Sequence, residues 1–214
     1  MKKGALFDLD GTLISSPNVH VQAWKTLFKT YQITLTDEEL QEQAGNKNVT
    51  FIKKILTRRK REEVNAQTLS NEKDAIVLSL LATQPAVVLP EVKHLLQSLK
   101  EQGVKLALVT NATKQTALIL AKELLAYFDV LLFAEDVTHG KPDPEIFLKA
   151  ASLLNLSNKA CIVFEDAKEG VEAAKNGGFY CIARDNNLHQ DLSAADTIVR
   201  EYNVKELLRL FEEL

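Results

Sequence analysis

The stretch Ala5-Leu6-Phe7-Asp8-Leu9-Asp10-Gly11-Thr12-Leu13 decides the fold. A short apolar run leads into two carboxylates two residues apart, and a glycine follows. Side chains alternate between faces in an extended chain, so Asp8 and Asp10 fall on one side. Like charges at the end of a buried strand repel unless a cation or a shared proton intervenes. Gly11 lets the chain turn sharply just past them. A surface strand with two solvated acids is the alternative, but surface acids do not usually follow a run this apolar.

The 214-residue chain is 46% hydrophobic, enough for one large domain or for a domain with a smaller insert. A net charge of −3 gives no reason to expect nucleic acid or a membrane as partner. No apolar run approaches the roughly 20 residues that span a bilayer. Met1-Lys2-Lys3 is basic, but Asp8 soon interrupts the apolar run behind it, so the N-terminus does not read as a signal peptide. Cys161 and Cys181 fall in apolar strand-like runs and read as buried free thiols. Cytoplasmic residence and a monomer or weak homodimer are the default expectations.

Outward from the opening strand, residues 4–8, the pattern changes at Ser15. Segments 18–31, 37–44, 49–62 and 70–83 carry helix-like apolar spacing with polar faces, and no strand pattern intervenes. Thr36-Asp37-Glu38-Glu39 reads as a helix start. Arg58-Arg59-Lys60-Arg61-Glu62-Glu63 reads as a solvated face with local charge compensation rather than a nucleic-acid site. Past Pro90, strands at 104–109, 130–133, 160–164, 179–183 and 197–199 alternate with helices over 92–99, 115–125, a segment ending at Leu154, one stopping at Gly177-Gly178, and 204–214. Near-continuous apolar strands alternating with helices predict an α/β protein. Its core is a Rossmann-like, doubly wound parallel sheet formed by residues 1–14 and 87–214, with an inserted all-helical cap over 15–86. Ligands bind such sheets beyond the carboxyl ends of the strands. Asp8/Asp10, Thr110/Asn111 and Glu165/Asp166 fall there, and Lys141 sits in a loop entering a helix.

Read singly, Thr110 serves equally well as a helix cap, Lys141 as a surface lysine and Glu165-Asp166 as a helix start. Together Asp8-Leu9-Asp10-Gly11-Thr12, Thr110, Lys141-Pro142-Asp143-Pro144 and Glu165-Asp166 resemble the four ordered motifs of the haloacid dehalogenase superfamily. The helical insert is similar to the small cap of the group holding phosphoglycolate phosphatase, sugar phosphatases and β-phosphoglucomutase. The resemblance implies that Asp8 attacks phosphorus to form an aspartyl-phosphate, and that Asp10 acts as acid and then base. It implies a Mg²⁺ cofactor held by Asp8, Asp166, the backbone carbonyl of Asp10 and, directly or through a further contact, Glu165. Thr110 would grip a phosphate oxygen, and Lys141 would offset negative charge. By family analogy, Asp10 points to phosphate esters rather than to dehalogenation.

The expected substrate is a small phosphorylated metabolite such as a sugar phosphate. Asn111, His20, Trp24, Gly45, Lys47 and Lys73 are the candidate contacts. His20 and Trp24 share a helix face; Trp24 reads equally as cap core and His20 as a surface residue. Two departures from the family pattern stand out. Ser15-Ser16 replaces the usual Asp-Ser pair. Asn48 occupies the place where β-phosphoglucomutase carries a phosphate-gripping arginine, and asparagine cannot imitate that bidentate grip. Phosphatase is therefore the leading expectation, phosphosugar mutase the second, and a binding protein with vestigial catalysis the third.

Overall fold

The computed structural model describes residues 3–16, 19–43, 46–187 and 190–213. β1 (Gly4–Phe7) runs parallel between β4 (Lys105–Val109) and β6 (Cys161–Glu165). β5 (Val130–Leu132) lies outside β4, while β7 (Tyr180–Arg184) and β8 (Thr197–Val199) follow β6, giving the order β5-β4-β1-β6-β7-β8. All five pairings are parallel, as the alternation of apolar strands and helices predicts.

Period-two alternation sorts the strand side chains into two cores. Ala5 and Phe7 join Leu106, Leu108, Ile162 and Phe164 on one face, where Phe7 stacks on Phe164 at 4.3 Å. Leu6 joins Ala107, Val109, Cys161 and Val163 on the other. The first face is covered by α5 (Val92–Glu101), α6 (Lys114–Leu120) and α9 (Val204–Glu213), the second by α7 (Glu145–Leu153) and α8 (Lys168–Asn176). Cys161 and Cys181 are buried and free, and burial pushes the Cys161 thiol up to about 12.

Between residue 16 and residue 86 the described residues form four helices: α1 (Val19–Thr30), α2 (Asp37–Gln41), α3 (Asn48–Arg58) and α4 (Ala66–Leu81). They enclose a separate apolar cluster around Trp24, Phe28, Phe51 and Ile55. Two short strands absent from the sequence reading, β2 (Ile14–Ser15) and β3 (Val87–Val88), pair antiparallel where the chain leaves the core and where it returns. Two residues per strand carry no periodicity to read.

Helix ends differ from expectation for identifiable reasons. α4 starts at Ala66 rather than residue 70 because the Asn65 side chain accepts from the Gln67 and Thr68 N–H groups. α3 stops at Arg58 because Lys60 turns into the left-handed region at φ 53°. α6 ends at Leu120, and tightened turns then carry Leu124 into the main core.

The basic run at 58–61 is locally compensated. Arg59 reaches Glu39 at 2.7 Å, Arg58 reaches Glu42 at 3.1 Å, and Arg61 reaches Glu63 at 2.7 Å. Thr36-Asp37-Glu38-Glu39 starts a helix as expected, and Glu39 further completes a capping box with Thr36. Burial opposes its charge, but the Arg59 bond and the Thr36 N–H hold its carboxyl below the usual range. A depressed carboxylate contributes stability above its unfolded pKa and loses it as pH falls through the folded one. Glu39→Ala should therefore lower unfolding free energy by about 1–3 kcal/mol at pH 7. The gap to wild type, measured by urea denaturation, should shrink below about pH 4.3.

Candidate active site

Each strand of the central trio ends in a polar side chain. Past β1 come Asp8 and Asp10, past β4 Thr110 and Asn111; β6 ends on Glu165, with Asp166 following. Because β1 lies between β4 and β6, residues more than 150 positions apart converge on one rim. All six line a cleft of about 410 Å³, a volume typical of small-molecule sites.

Lys141 ties this rim together from the loop before α7. It is 3% exposed and donates to Asp8 at 2.6 Å, Glu165 at 2.5 Å and the Val109 carbonyl at 3.2 Å. These three bonds match the three donors of an ammonium group. Burial opposes the charge on Lys141, but the Asp8 and Glu165 carboxylates more than offset it and raise its pKa. Burial pushes Asp8 up to about 7, with the attraction of Lys141 working against it and the repulsion of Glu165 and Asp10 with it. Asp166 is also raised well above the usual carboxylate range, by burial and then by Asp8, Glu165 and Asp10. Asp10 goes the other way. Burial works against its charge, yet His20 and Ser16 hold it below the usual carboxylate range. Ser16 Oγ donates to Asp10 at 2.6 Å, and His20 Nε2 lies 3.4 Å from it.

Thr110 accepts the Ala112 N–H at 3.1 Å, while Thr113, not Thr110, stands at the α6 N-cap position. The Thr110 hydroxyl proton is therefore directed by neither role and is available to an oxygen in the cleft.

Asp8, Glu165 and Asp166 each bring a carboxylate oxygen within 4.8 Å of the others. Lys141 bonds the first two and leaves Asp166 to Thr12 at 3.4 Å and Asn186 at 2.7 Å. A buried, all-oxygen donor set with excess negative charge fits a hard divalent cation.

The roof of the cleft is contributed by the helical insert. His20, Lys73 and Asn48 line it. Burial draws the Lys73 ammonium down to about 8, against the pull of Asp74 and Asp10. Its Nζ lies 2.9 Å from His20 Nδ1 and 5.1 Å from the Trp24 ring centre. Two expected contacts are placed elsewhere. Trp24 is 2% exposed, stacks on Phe28 and meets Phe51 edge-on in the helical cluster, and donates to Gln43; it supports Lys73 without lining the cleft. Lys47 spends its ammonium on the Val137 and Thr138 carbonyls, at 2.6 and 3.4 Å, bracing the insert against the loop that leads to Lys141. Gly45 lies outside the described residues.

Several contributors escaped the sequence reading. Asn186 orients Asp166 from a loop without motif character, and Ser16, noted in the sequence only as part of a departure from the family pattern, orients Asp10. Two glycines permit close approach: a Cβ on Gly11, itself at φ +78°, would fall 1.9 Å from the Asp166 carboxylate, and one on Gly170 2.0 Å from that of Glu165. A glycine inside a helix costs about 1 kcal/mol against alanine, so Gly170 within α8 was a readable signal of tight packing.

A parallel sheet with an acid-lined rim under a helical insert defines a class of α/β hydrolytic enzymes. Residues 2–178 match the model of the haloacid dehalogenase-like hydrolase family. The chain is 32% identical over 205 residues to validoxylamine A 7'-phosphate phosphatase of Streptomyces hygroscopicus subsp. limoneus, covering 94% of each. It is 30% identical over 181 residues to the phosphorylated carbohydrates phosphatase of Thermotoga maritima, covering 82% of each. A crystal structure of β-phosphoglucomutase from Clostridium difficile superposes with a TM-score of 0.86 at 23% identity, covering 100% of this chain and 98% of that one, and so shares the fold. This protein belongs to the haloacid dehalogenase-like hydrolase family.

The raised Asp8 carries a stability consequence. A carboxyl whose folded pKa lies above its unfolded value favours the fold at low pH and loses that contribution as pH rises through the folded pKa. In EDTA, unfolding free energy should fall as pH rises from 5 to 7, in the range where Asp8 loses its proton. Lys141→Met, which removes the attraction holding Asp8 down, should extend the decline to higher pH. Denaturant titrations across the range check both.

Proposed function

We propose that this protein is a Mg²⁺-dependent phosphatase that hydrolyses a small phosphorylated metabolite, of the sugar-phosphate kind, through an aspartyl-phosphate on Asp8. The observation that carries the reading is the Lys141 bridge, which holds Asp8 beside Glu165 and Asp166 along one polar cleft. The two phosphatase relatives, matched over most of both chains, support it.

Asp8, Asp166, the Asp10 carbonyl and Glu165 would hold the Mg²⁺, which supplies neutralisation of the phosphate charge when bound. A carboxylate oxygen of Asp8 attacks phosphorus as the bond to the ester oxygen breaks. Asp10 passes a proton to the leaving alcohol. Water then attacks the aspartyl-phosphate, giving a proton to Asp10, and the Asp8–phosphorus bond breaks to release phosphate. The depressed pKa of Asp10 leaves it as the carboxylate, the form the second step needs. For the first it must hold a proton, which the approach of a dianionic phosphate favours by like-charge repulsion. Lys141 fixes the Asp8 carboxylate, and the Thr110 hydroxyl donates to a phosphate oxygen.

Residues 15–86 act as the cap that covers this site and excludes water, pivoting on the paired β2 and β3. The mutase alternative requires a grip on a second phosphate. Asn48 supplies none as a charge, Lys47 is committed to backbone carbonyls, and Lys73, the cation of the roof, is engaged by His20 at 2.9 Å with Asp74 at 4.0 Å. Phosphatase is favoured for that reason.

Asp8→Asn should abolish phosphate release from p-nitrophenyl phosphate, and Asp10→Asn should lower kcat by about 10²–10⁴-fold. EDTA should remove activity and Mg²⁺ restore it. Substantial turnover by Asp8→Asn would defeat the proposal. With glucose 1-phosphate and a bisphosphate primer, NMR should show free phosphate accumulating faster than any isomer.

A further inference from the structure

One buried acid in the cleft has no part in phosphoryl transfer. Asp74, on α4, is 7% exposed and lines the cleft from the roof. Its two oxygens accept from Asn48 Nδ2 and Thr113 Oγ1, each at 2.9 Å. The second bond crosses from the helical insert to the core, so the carboxylate is fixed from both sides. A carboxylate offers about four acceptor positions, and these two donors leave room for more. Lys73 Nζ stands 4.0 Å away, but its near partner is His20. Among the described residues, Lys73 is the single lysine or arginine lining the roof; Arg184 lies at the floor, donating to the Gly11 carbonyl at 3.0 Å.

We propose that Asp74, set beside Asn48, is the specificity-determining residue for the leaving group. It accepts hydrogen bonds from hydroxyls at the end of the substrate distal to the transferred phosphate, and its charge excludes a second phosphate there. The inference rests on the phosphatase reading and narrows its substrate class to monophosphorylated polyols and sugars. A hydroxyl donates to the carboxylate without charge penalty. A distal phosphate would face a buried anion where it needs donors, and discrimination of this kind is built from repulsion as much as from attraction. A purely structural Asp74, latching insert to core through Thr113, would affect mono- and bisphosphates alike.

The test compares kcat/KM for phosphate release, with Mg²⁺, in matched pairs: glucose 6-phosphate with glucose 1,6-bisphosphate, and fructose 6-phosphate with fructose 1,6-bisphosphate. Wild type should favour the monophosphate by at least about tenfold. Asp74→Asn keeps an acceptor for Thr113 and removes the charge, so that preference should shrink by about tenfold or more. Asn48→Lys, which leaves Asp74 in place and sets a cation beside it, should move the ratio the same way and serves if Asp74→Asn fails to fold. A wild-type enzyme indifferent to the second phosphate, or a preference unmoved in every folded variant, overturns the assignment. Hydrolysis of p-nitrophenyl phosphate but of no sugar ester overturns it while leaving the phosphatase intact. No hydrolysis of any ester overturns both.

Discussion

Four carboxylates share one buried rim, and that crowding is the constraint around which the structure is arranged. Asp8, Asp10, Glu165 and Asp166 could not all remain charged in an apolar sheet edge without compensation. Lys141 answers part of the need by bridging Asp8 and Glu165 with a third bond to Val109. Ser16 and His20 answer for Asp10. Asp166 remains with neutral donors, Thr12 and Asn186, and carries the strongest reason to want a cation.

The crowding is imposed by topology. A parallel sheet with β1 at its centre sends neighbouring strands off at the same end, and the chain reverses direction across the sheet at that point. Close approach then demands missing side chains, which explains Gly11 against Asp166 and Gly170 against Glu165. The stacked Phe7 and Phe164 beneath the rim give the acids an immobile base. Pre-organised charge of this kind is what phosphoryl transfer asks of a protein, since its contribution is mostly positioning and electrostatics.

The helical insert adds the other half of the cleft. Its own apolar cluster keeps α1, α3 and α4 together, while Val19, Ala23, Val77 and Leu81 join the main core. Lys47 on the Val137 and Thr138 carbonyls and Asp74 on Thr113 tie the two halves polar group to polar group.

The motif residues were legible because each sits beside a strongly apolar strand: Phe7 before Asp8, Val109 before Thr110, Phe164 before Glu165. Periodicity likewise marked the four inserted helices and the parallel sheet. Residues without such a frame were not legible. Asn186, Ser16 and Asp74 are polar positions whose partners lie 20, 6 and 39 residues away, and no local pattern encodes those distances. Trp24 and Lys47 match cleft positions by resemblance to the family, but packing turned one into the helical cluster and hydrogen bonding committed the other to the core. The sequence by itself determined the elements, their order and the chemical identity of the rim, since these follow from local hydrophobic pattern and residue type. Only the tertiary structure decided which acid Lys141 bridges, which helix faces line the cleft and where Asp74 points, because those depend on distances between segments that no local pattern contains.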